Sequence, residues 1–224
     1  MTLSDAIINR HSVRSYTSKP IPADIKERLE QEIRQCNLKG GLHIQLVTED
    51  EKAFDSFLAH YGKFENVRNY IALIGKKTEE LDENIGYFGE HLVLLAQMLG
   101  LNTCWAAMSF GKKAVKSKCR IESGEKLVCV LALGYGSSAG QAHKIKTMNE
   151  ICKDKGERPE WYENGLKAAL LAPTAMNQQK FMFSRHGKNV SAVSTGGFYS
   201  KVDLGIVKYH FEAAAGKENF VWEK

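Results

Sequence analysis

The amino-acid sequence predicts an α+β fold: a central mixed sheet covered by helices, with a long apolar helix in the middle. Helical and strand-like patterns alternate along the chain, and two segments are short apolar runs typical of buried strands. One long helical segment is apolar nearly all round, which indicates a buried helix. The 224 residues, 43% of them apolar, suffice for a sizeable core, and we expect one domain over 1–224.

The first two helices are indicated by their starts and ends. Thr2-Leu3-Ser4-Asp5 resembles an N-terminal cap, and we expect a short helix from there to about Arg10. Pro22 is well placed as the first residue of a second helix, which the Gly40-Gly41 pair should end. The apolar face of this second helix consists of Ile25, Leu29, Ile33 and Cys36.

The middle of the chain combines strands with the long helix. Alternation over Leu42–Leu46 predicts a half-buried strand, and a helix around Phe54–Tyr61 should follow. The apolar run Tyr70–Gly75 predicts a buried strand. The segment Leu81–Leu99 has the pattern of the long apolar helix, and Gly100 ends it. The remaining predicted elements are a short strand leading into a loop over Thr103–Phe110, a buried strand over Lys126–Gly134, a Gly/Ser-rich loop over Tyr135–Lys146, a helix over Pro159–Ala172, strands over Gln179–Arg185 and Val190–Ser194, and a helix over Val202–Ala215.

Composition and charge exclude several classes of protein. The formal charge of +5 suits a small anionic ligand, and no basic run alternates with aromatics as in a nucleic-acid groove, so we expect no nucleic-acid partner. The five dispersed cysteines indicate reduced thiols and no metal site. Neither a signal peptide nor a membrane-length apolar run is present, so we expect a cytoplasmic protein without a membrane partner. Neither a G-x-G-x-x-G turn nor a P-loop follows any predicted strand.

The first candidate site is Arg10-His11-Ser12-Val13-Arg14, just after the first helix. In an extended segment Arg10, Ser12 and Arg14 point to one side. Two guanidinium groups and a hydroxyl suit a phosphate or another anionic, planar ligand. The alternative is a helix end whose basic residues meet the negative end of the helix dipole.

Two further candidates lie later in the chain. The loop Ala172–Gln179 carries amides able to hydrogen-bond a heterocycle edge, although a polar turn after a helix is an equal alternative. Lys144 and Lys146 lie on the same side of an extended segment and suit a phosphate, although a solvated charge pair is the commoner explanation. For His91 and the pair Cys104-Trp105 we favour structural roles. No catalytic acid, base or nucleophile motif is evident, which is expected where a cofactor carries the chemistry.

Several of these segments together resemble the FMN-dependent nitroreductase family. The segment from Arg10 to Tyr16 resembles the family's R-[RH]-S-x-[RK]-x-[FY] signature, and Lys19-Pro20-Ile21-Pro22 continues it. Leu99–Trp105 resembles L-G-L-x-T-C-W, and Leu131–Tyr135 resembles the A-L-G-Y strand end. Lys144 and Lys146 match a late K/R-x-K/R pair, so the resemblance covers most of residues 1–150.

This resemblance implies roles for individual residues. Arg10, Ser12, Lys144 and Lys146 would hold the FMN phosphate, with His11 beside it. Arg14 would lie near the flavin's pyrimidine edge and stabilise the negative charge of the reduced ring. Backbone groups of the loop Ala107, Met108 and Ser109 would face the flavin near N5.

One element is displaced from its usual place in the family. The A-P-S-x-x-N-x-Q loop normally follows the second helix, where this chain has Gln35–Gly40, and its match comes at Ala172–Gln179. That position resembles a rearranged subgroup of nitroreductases in which the C-terminal part, here 159–224, supplies the loop. Such a loop reaches a flavin at a subunit interface, in its own or the partner subunit. Its implied flavin-binding residues are Pro173, Thr174, Ala175, Asn177 and Gln179.

The function implied is a homodimeric FMN-dependent oxidoreductase. NADH or NADPH would reduce the flavin, and a small acceptor such as a nitroaromatic or a quinone would be reduced in turn. No residue is expected to act as a catalytic acid or base. The alternatives are a flavin dehydrogenase or flavin-modifying enzyme on the same scaffold, and a flavin-binding redox protein without turnover.

Overall fold

A computed structural model describes residues 1–154 and 156–223. The chain divides into two compact units. The first, here the terminal unit, consists of residues 1–9, 82–91 and the chain from His143 onward. The second, here the sheet unit, consists of residues 10–81 and 92–142.

The sheet unit is built on four strands: β1 (Gln45–Val47), β2 (Asn69–Lys76), β3 (Asn102–Ala106) and β4 (Glu125–Gly134). Their order is β1-β2-β4-β3, and each neighbouring pair is antiparallel. Strands β2 and β4 are buried over most of their length, as their apolar runs predicted. The prediction of a single mixed sheet was wrong for this unit, because a continuous apolar run indicates burial but not strand direction.

Helices α2 (Ala23–Gly40), α3 (Phe57–Tyr61) and α5 (Lys112–Lys118) belong to the sheet unit. Helix α2 begins after Pro22 and ends before Gly41, which takes the left-handed conformation with φ of 61°, so its predicted limits are confirmed. Its buried residues are Leu29, Ile33 and Cys36, three of the four in the predicted apolar face. Helix α5 was not predicted, because its seven residues bury only Val115 and four of them are lysines.

The terminal unit contains α1 (Leu3–Asn9), α6 (Met148–Ile151), α7 (Glu160–Leu171) and α8 (Ser200–Ala215). Its sheet has the order β5 (Phe181–His186), β6 (Asn189–Ser194) and β7 (Val221–Trp222). Strands β5 and β6 are antiparallel, whereas β6 and β7 are parallel. Residues 1–154 and 156–223 therefore form two sheets in place of the single predicted one. The short elements α6 and β7 were not predicted because neither is long enough to show a periodicity.

Helix α4 (Leu81–Met98) confirms the predicted extent of the long helix and contributes residues 82–91 to the terminal unit. It approaches α8 backbone to backbone there, since a Cβ at Gly86 would overlap the Val202 carbonyl and one at Gly205 would overlap the Glu83 carbonyl. That this helix is apolar all round and central to the fold stays a prediction. Within the part of the chain that the structure describes, no helix is both long and apolar enough to span a membrane.

Candidate functional site

The Arg10–Arg14 segment of the sheet unit runs beside strand β3. Ser12 forms an isolated parallel bridge with Thr103, and the backbone N of Val13 donates a hydrogen bond to the Thr103 carbonyl at 3.0 Å. The Val13 side chain is buried in the apolar core, whereas Arg14 is exposed. The segment is therefore extended here, with its alternate side chains on opposite faces as predicted.

Arg10, Ser12 and Arg14 all act on one buried group, the thiol of Cys104 in β3. Burial raises the pKa of Cys104, and the positive charge of Arg14, a hydrogen bond with the Ser12 side chain and the charge of Arg10 each lower it. All three polar side chains are thus close enough to Cys104 to affect its titration. The structure brings the three predicted residues together, and the buried Cys104 supports the expectation of a structural role for it.

His11 lies between these residues against the Gly/Ser-rich loop that follows β4. Its pKa is lowered, first by burial and then by the charge of Arg10, so a neutral imidazole is favoured. Gly140 in this loop has φ of +75°, and a Cβ there would lie 2.8 Å from the Cβ of His11 and 3.2 Å from the Ser12 carbonyl oxygen. The loop approaches the segment so closely that only glycine fits at this position.

Ala107, Met108 and Ser109 directly follow β3, so the strand that borders Ser12 also carries this loop. Met108 is 55% exposed. Ser109 packs against Gly62, where an added Cβ would lie 2.5 Å from the Ser109 Cβ. The predicted N5 loop and the Arg10–Arg14 segment therefore belong to one unit and border the same strand.

A cavity of about 750 Å³ adjoins this segment within the sheet unit. Glu65, one of its lining residues, donates its backbone N–H to the Arg14 carbonyl at 3.0 Å. The Glu65 carboxylate accepts a hydrogen bond from the Ser15 hydroxyl at 2.9 Å. Aromatic and charged side chains line the cavity, among them Phe54, His60, Phe64 and Arg68. A volume of this size accommodates a small organic molecule.

The remaining candidates lie in the terminal unit, where residues 173–179 form a loop around a 3-10 turn, Ala175–Asn177. Met176, Asn177 and Gln179 have positive φ angles of 51°, 53° and 45°. Asparagine tolerates this left-handed conformation, but methionine and glutamine rarely adopt it. The loop must therefore be held by specific contacts.

Gln179 supplies one set of these contacts, to the segment that carries Lys144 and Lys146. Its side-chain Nε2 donates to the Lys144 carbonyl at 2.8 Å, and its Oε1 accepts from the Lys146 backbone N at 2.9 Å. Asn177 Nδ2 also donates to the Lys144 carbonyl, at 2.8 Å. Two candidates that were predicted separately thus form one hydrogen-bonded structure.

The side-chain amides of Asn177 and Gln179 hydrogen-bond within the protein. The side chains of Asn177 and Gln179 were expected to be available to a heterocycle, but the described geometry directs their donors to the Lys144 carbonyl. Gln179 is buried as well, with 4% of its surface exposed. The Lys144 side chain is exposed, and the Lys146 ammonium donates to the Gln179 carbonyl at 2.8 Å.

Asp203 was missed by the sequence analysis, and no role was assigned to Gln178, which lies within the candidate loop. Asp203 lies in the first turn of α8 and accepts hydrogen bonds from both Ala175 and Gln178 of the loop. No motif connects these positions, and a buried acidic residue in a helical turn has the same sequence pattern as an exposed one. His91, for which a structural role was favoured, has its Nδ1 2.6 Å from the Tyr209 hydroxyl.

A family model and several solved structures match this chain. The family model described as "Putative TM nitroreductase" matches residues 2–215. A putative nitroreductase from Thermotoga maritima has a TM-score of 0.65 at 21% identity, over 96% of this chain and 83% of that one. A putative nitroreductase from Desulfovibrio desulfuricans in complex with FMN has a TM-score of 0.57 at 14% identity, over 70% of this chain and 99% of that one.

A putative NADH oxidase from Clostridium acetobutylicum has a TM-score of 0.53 at 21% identity, over 68% of this chain and 100% of that one. The comparison with curated proteins gave no match. At these identities the likeness to the solved structures shows a common fold.

Proposed function

The chain belongs to the putative nitroreductase family, and on that premise we propose that it is an FMN-dependent NAD(P)H oxidoreductase that reduces small acceptors such as nitroaromatics or quinones. The observation that carries the proposal is the extended Arg10–Arg14 segment beside β3, where Ser12 forms a bridge with Thr103 and Val13 N donates to the Thr103 carbonyl at 3.0 Å. Arg10, Ser12 and Arg14 each affect the pKa of Cys104 in that strand. Two guanidinium groups and a hydroxyl suit the phosphate and the electron-rich ring edge of FMN.

We assign the FMN phosphate to Arg10, Ser12, Lys144 and Lys146, with His11 beside it. The family supports the assignment of FMN, since the Desulfovibrio desulfuricans relative was solved with it. The donor chemistry fits: Arg10 and Arg14 carry guanidinium groups that suit a phosphate, and the lowered pKa of His11 favours a neutral ring beside them. Arg14 is assigned to the pyrimidine edge and Ala107, Met108 and Ser109 to the region of N5.

The 173–179 loop is assigned to the same flavin or to that of a partner subunit, through Pro173, Thr174, Ala175, Asn177 and Gln179. Because the Asn177 and Gln179 side chains bind Lys144, the proposed contribution of these two residues is to position the loop and the lysines. The displaced position of the loop supports membership of a rearranged subgroup. A homodimer in the cytoplasm completes the proposal.

Bound FMN would supply the redox chemistry, accepting electrons from NADH or NADPH and passing them to the acceptor. The chain's own residues bind and orient. Arg14 would stabilise negative charge at the pyrimidine edge, and the 750 Å³ cavity beside Arg14 and Ser15 would give a small acceptor room. No side chain is assigned as an acid or base, and protons come from water.

Turnover measurements test this function. Purified protein with FMN should oxidise NADH or NADPH continuously only when a nitroaromatic or quinone acceptor is present, and without an acceptor only the bound flavin should be reduced. Reduction of bound flavin without acceptor-dependent turnover would favour a flavin-binding redox protein. Turnover of other substrates alone would favour a flavin dehydrogenase or a flavin-modifying enzyme.

A further inference from the structure

Asp203 binds the 173–179 loop at two points. It lies in the first turn of α8 with 5% of its surface exposed. Its Oδ1 accepts a hydrogen bond from the backbone N of Ala175 at 2.9 Å, and its Oδ2 accepts one from the side-chain Nε2 of Gln178 at 2.6 Å. One buried carboxylate therefore holds both the start and the end of the left-handed turn.

Gln178 is itself fixed by the chain that leads into α8. Its Nε2 also donates to the Phe198 carbonyl at 2.8 Å, so both of its side-chain N–H groups face oxygen acceptors and the amide has one favourable orientation. Gly197 has φ of +108°, and a Cβ there would overlap Oε1 of Gln178. Glycine at 197 thus leaves the space that the Gln178 side chain requires.

Burial disfavours the charged form of Asp203. Burial raises the pKa of Asp203 to about 6, while the hydrogen bonds from Gln178 and Ala175 lower it. Among the residues that the structure describes, no cation forms a salt bridge with it. A buried carboxylate without a paired cation lowers the stability of the fold. Residues that lower stability in this way are concentrated at functional sites.

We propose that Asp203 is a positioning residue, which holds the 173–179 loop in the shape that presents Thr174 and Ala175 to the flavin. This inference rests on the proposed function. The loop's left-handed residues make the shape unfavourable on its own. Gln179 anchors the loop to the Lys144–Lys146 segment, and Asp203 anchors it to α8.

The variant Asp203→Asn tests this role because it keeps the size of the side chain but offers one acceptor oxygen instead of two. We expect the Kd for FMN to rise about tenfold, since one charge-assisted hydrogen bond is lost. Hydrogen exchange at the Ala175 amide should become faster, while Tm at pH 7.5 stays nearly the same, because the removal of a buried charge offsets the lost acceptor. The control Asp24→Asn makes the same change in the exposed first turn of α2 and should alter none of these quantities.

Each outcome decides the proposal. An unchanged Kd for FMN in Asp203→Asn would overturn it. A higher Kd together with a lower Tm would also overturn it, because that combination indicates a general structural role. If wild-type protein binds no FMN, the proposed function fails, and exchange at Ala175 then decides the positioning role alone: faster exchange in Asp203→Asn supports it and unchanged exchange overturns it.

Discussion

Gln179 and Lys146 are hydrogen-bonded to each other twice. The Lys146 backbone N donates to Gln179 Oε1 at 2.9 Å, and the Lys146 ammonium donates to the Gln179 carbonyl at 2.8 Å. The buried glutamine therefore sets both the path of the chain and the direction of the lysine side chain. If Lys146 binds the FMN phosphate as proposed, Gln179 prepares it for that role.

Gln179→Glu should weaken both stability and flavin binding. The carboxylate keeps an acceptor for Lys146 N but replaces the donor that faces the Lys144 carbonyl, so two oxygens meet in a buried position. Breaking such a contact costs roughly 1 to 3 kcal/mol. Urea unfolding and FMN titration measure the two effects. Gln141→Glu, at an exposed position, makes the same chemical change and should leave both unchanged; equal effects from the two variants would contradict the assignment.

Arg10→Ala should reduce FMN retention strongly. A charge-assisted hydrogen bond to phosphate contributes about 1.5 to 3 kcal/mol, and we expect the Kd for FMN to rise by more than tenfold. Arg120→Ala is the control, since Arg120 is exposed and pairs with Glu122 at 3.1 Å. Flavin affinity equal to wild type in Arg10→Ala would refute the phosphate role of Arg10.

Gly140→Ala separates local crowding from backbone strain. Gly140 and Gly124 have similar φ angles, +75° and +81°, but only at Gly140 would a Cβ contact other atoms, among them the His11 Cβ at 2.8 Å. Both substitutions should destabilise the fold by about 1 kcal/mol through the backbone. Only Gly140→Ala should also displace the Arg10–Arg14 segment and raise the Kd for FMN. If Gly124→Ala raises the Kd for FMN as much, the close packing of Gly140 against His11 does not position the Arg10–Arg14 segment.

Asp203 should make stability depend on pH. Its pKa in the folded protein, about 6, lies above the ordinary value of 3.8, so its contribution to stability is fully present below pH 3.8 and is lost as the pH rises through 6. The full change corresponds to about 3 kcal/mol at 1.36 kcal/mol per pKa unit. The free energy of unfolding is measured in urea at pH 5 and at pH 7.5. The value for wild type minus the value for Asp203→Asn should be larger at pH 5 than at pH 7.5. A difference between the two proteins that is the same at both pH values would contradict the raised pKa.

Local patterns predicted much of the fold. Pro22 and the spacing of Leu29, Ile33 and Cys36 define α2, and apolar runs define β2 and β4. Strand direction and the division into two sheets were not predictable, since they depend on pairings between distant segments. Helix α5 gives no periodic signal because Val115 is its one buried residue.

The part of the candidate site that was predictable consists of residues close together in sequence. Alternation in an extended segment put Arg10, Ser12 and Arg14 on one side, and their common effect on Cys104 agrees with this. The contact between Gln179 and Lys146 spans 33 residues, and Asp203 is 28 residues from Ala175. A single side chain that binds a distant backbone leaves no periodicity or motif, so neither contact was predictable.

The absorbance spectrum of the purified protein, recorded before and after FMN is added and the excess removed, tests the central claim most directly. We expect a yellow protein with bound flavin in a ratio near one per chain, and bleaching of the flavin band when NADH or NADPH is supplied. A preparation that stays colourless after incubation with FMN would contradict the flavin site at Arg10–Arg14 and every function proposed from it.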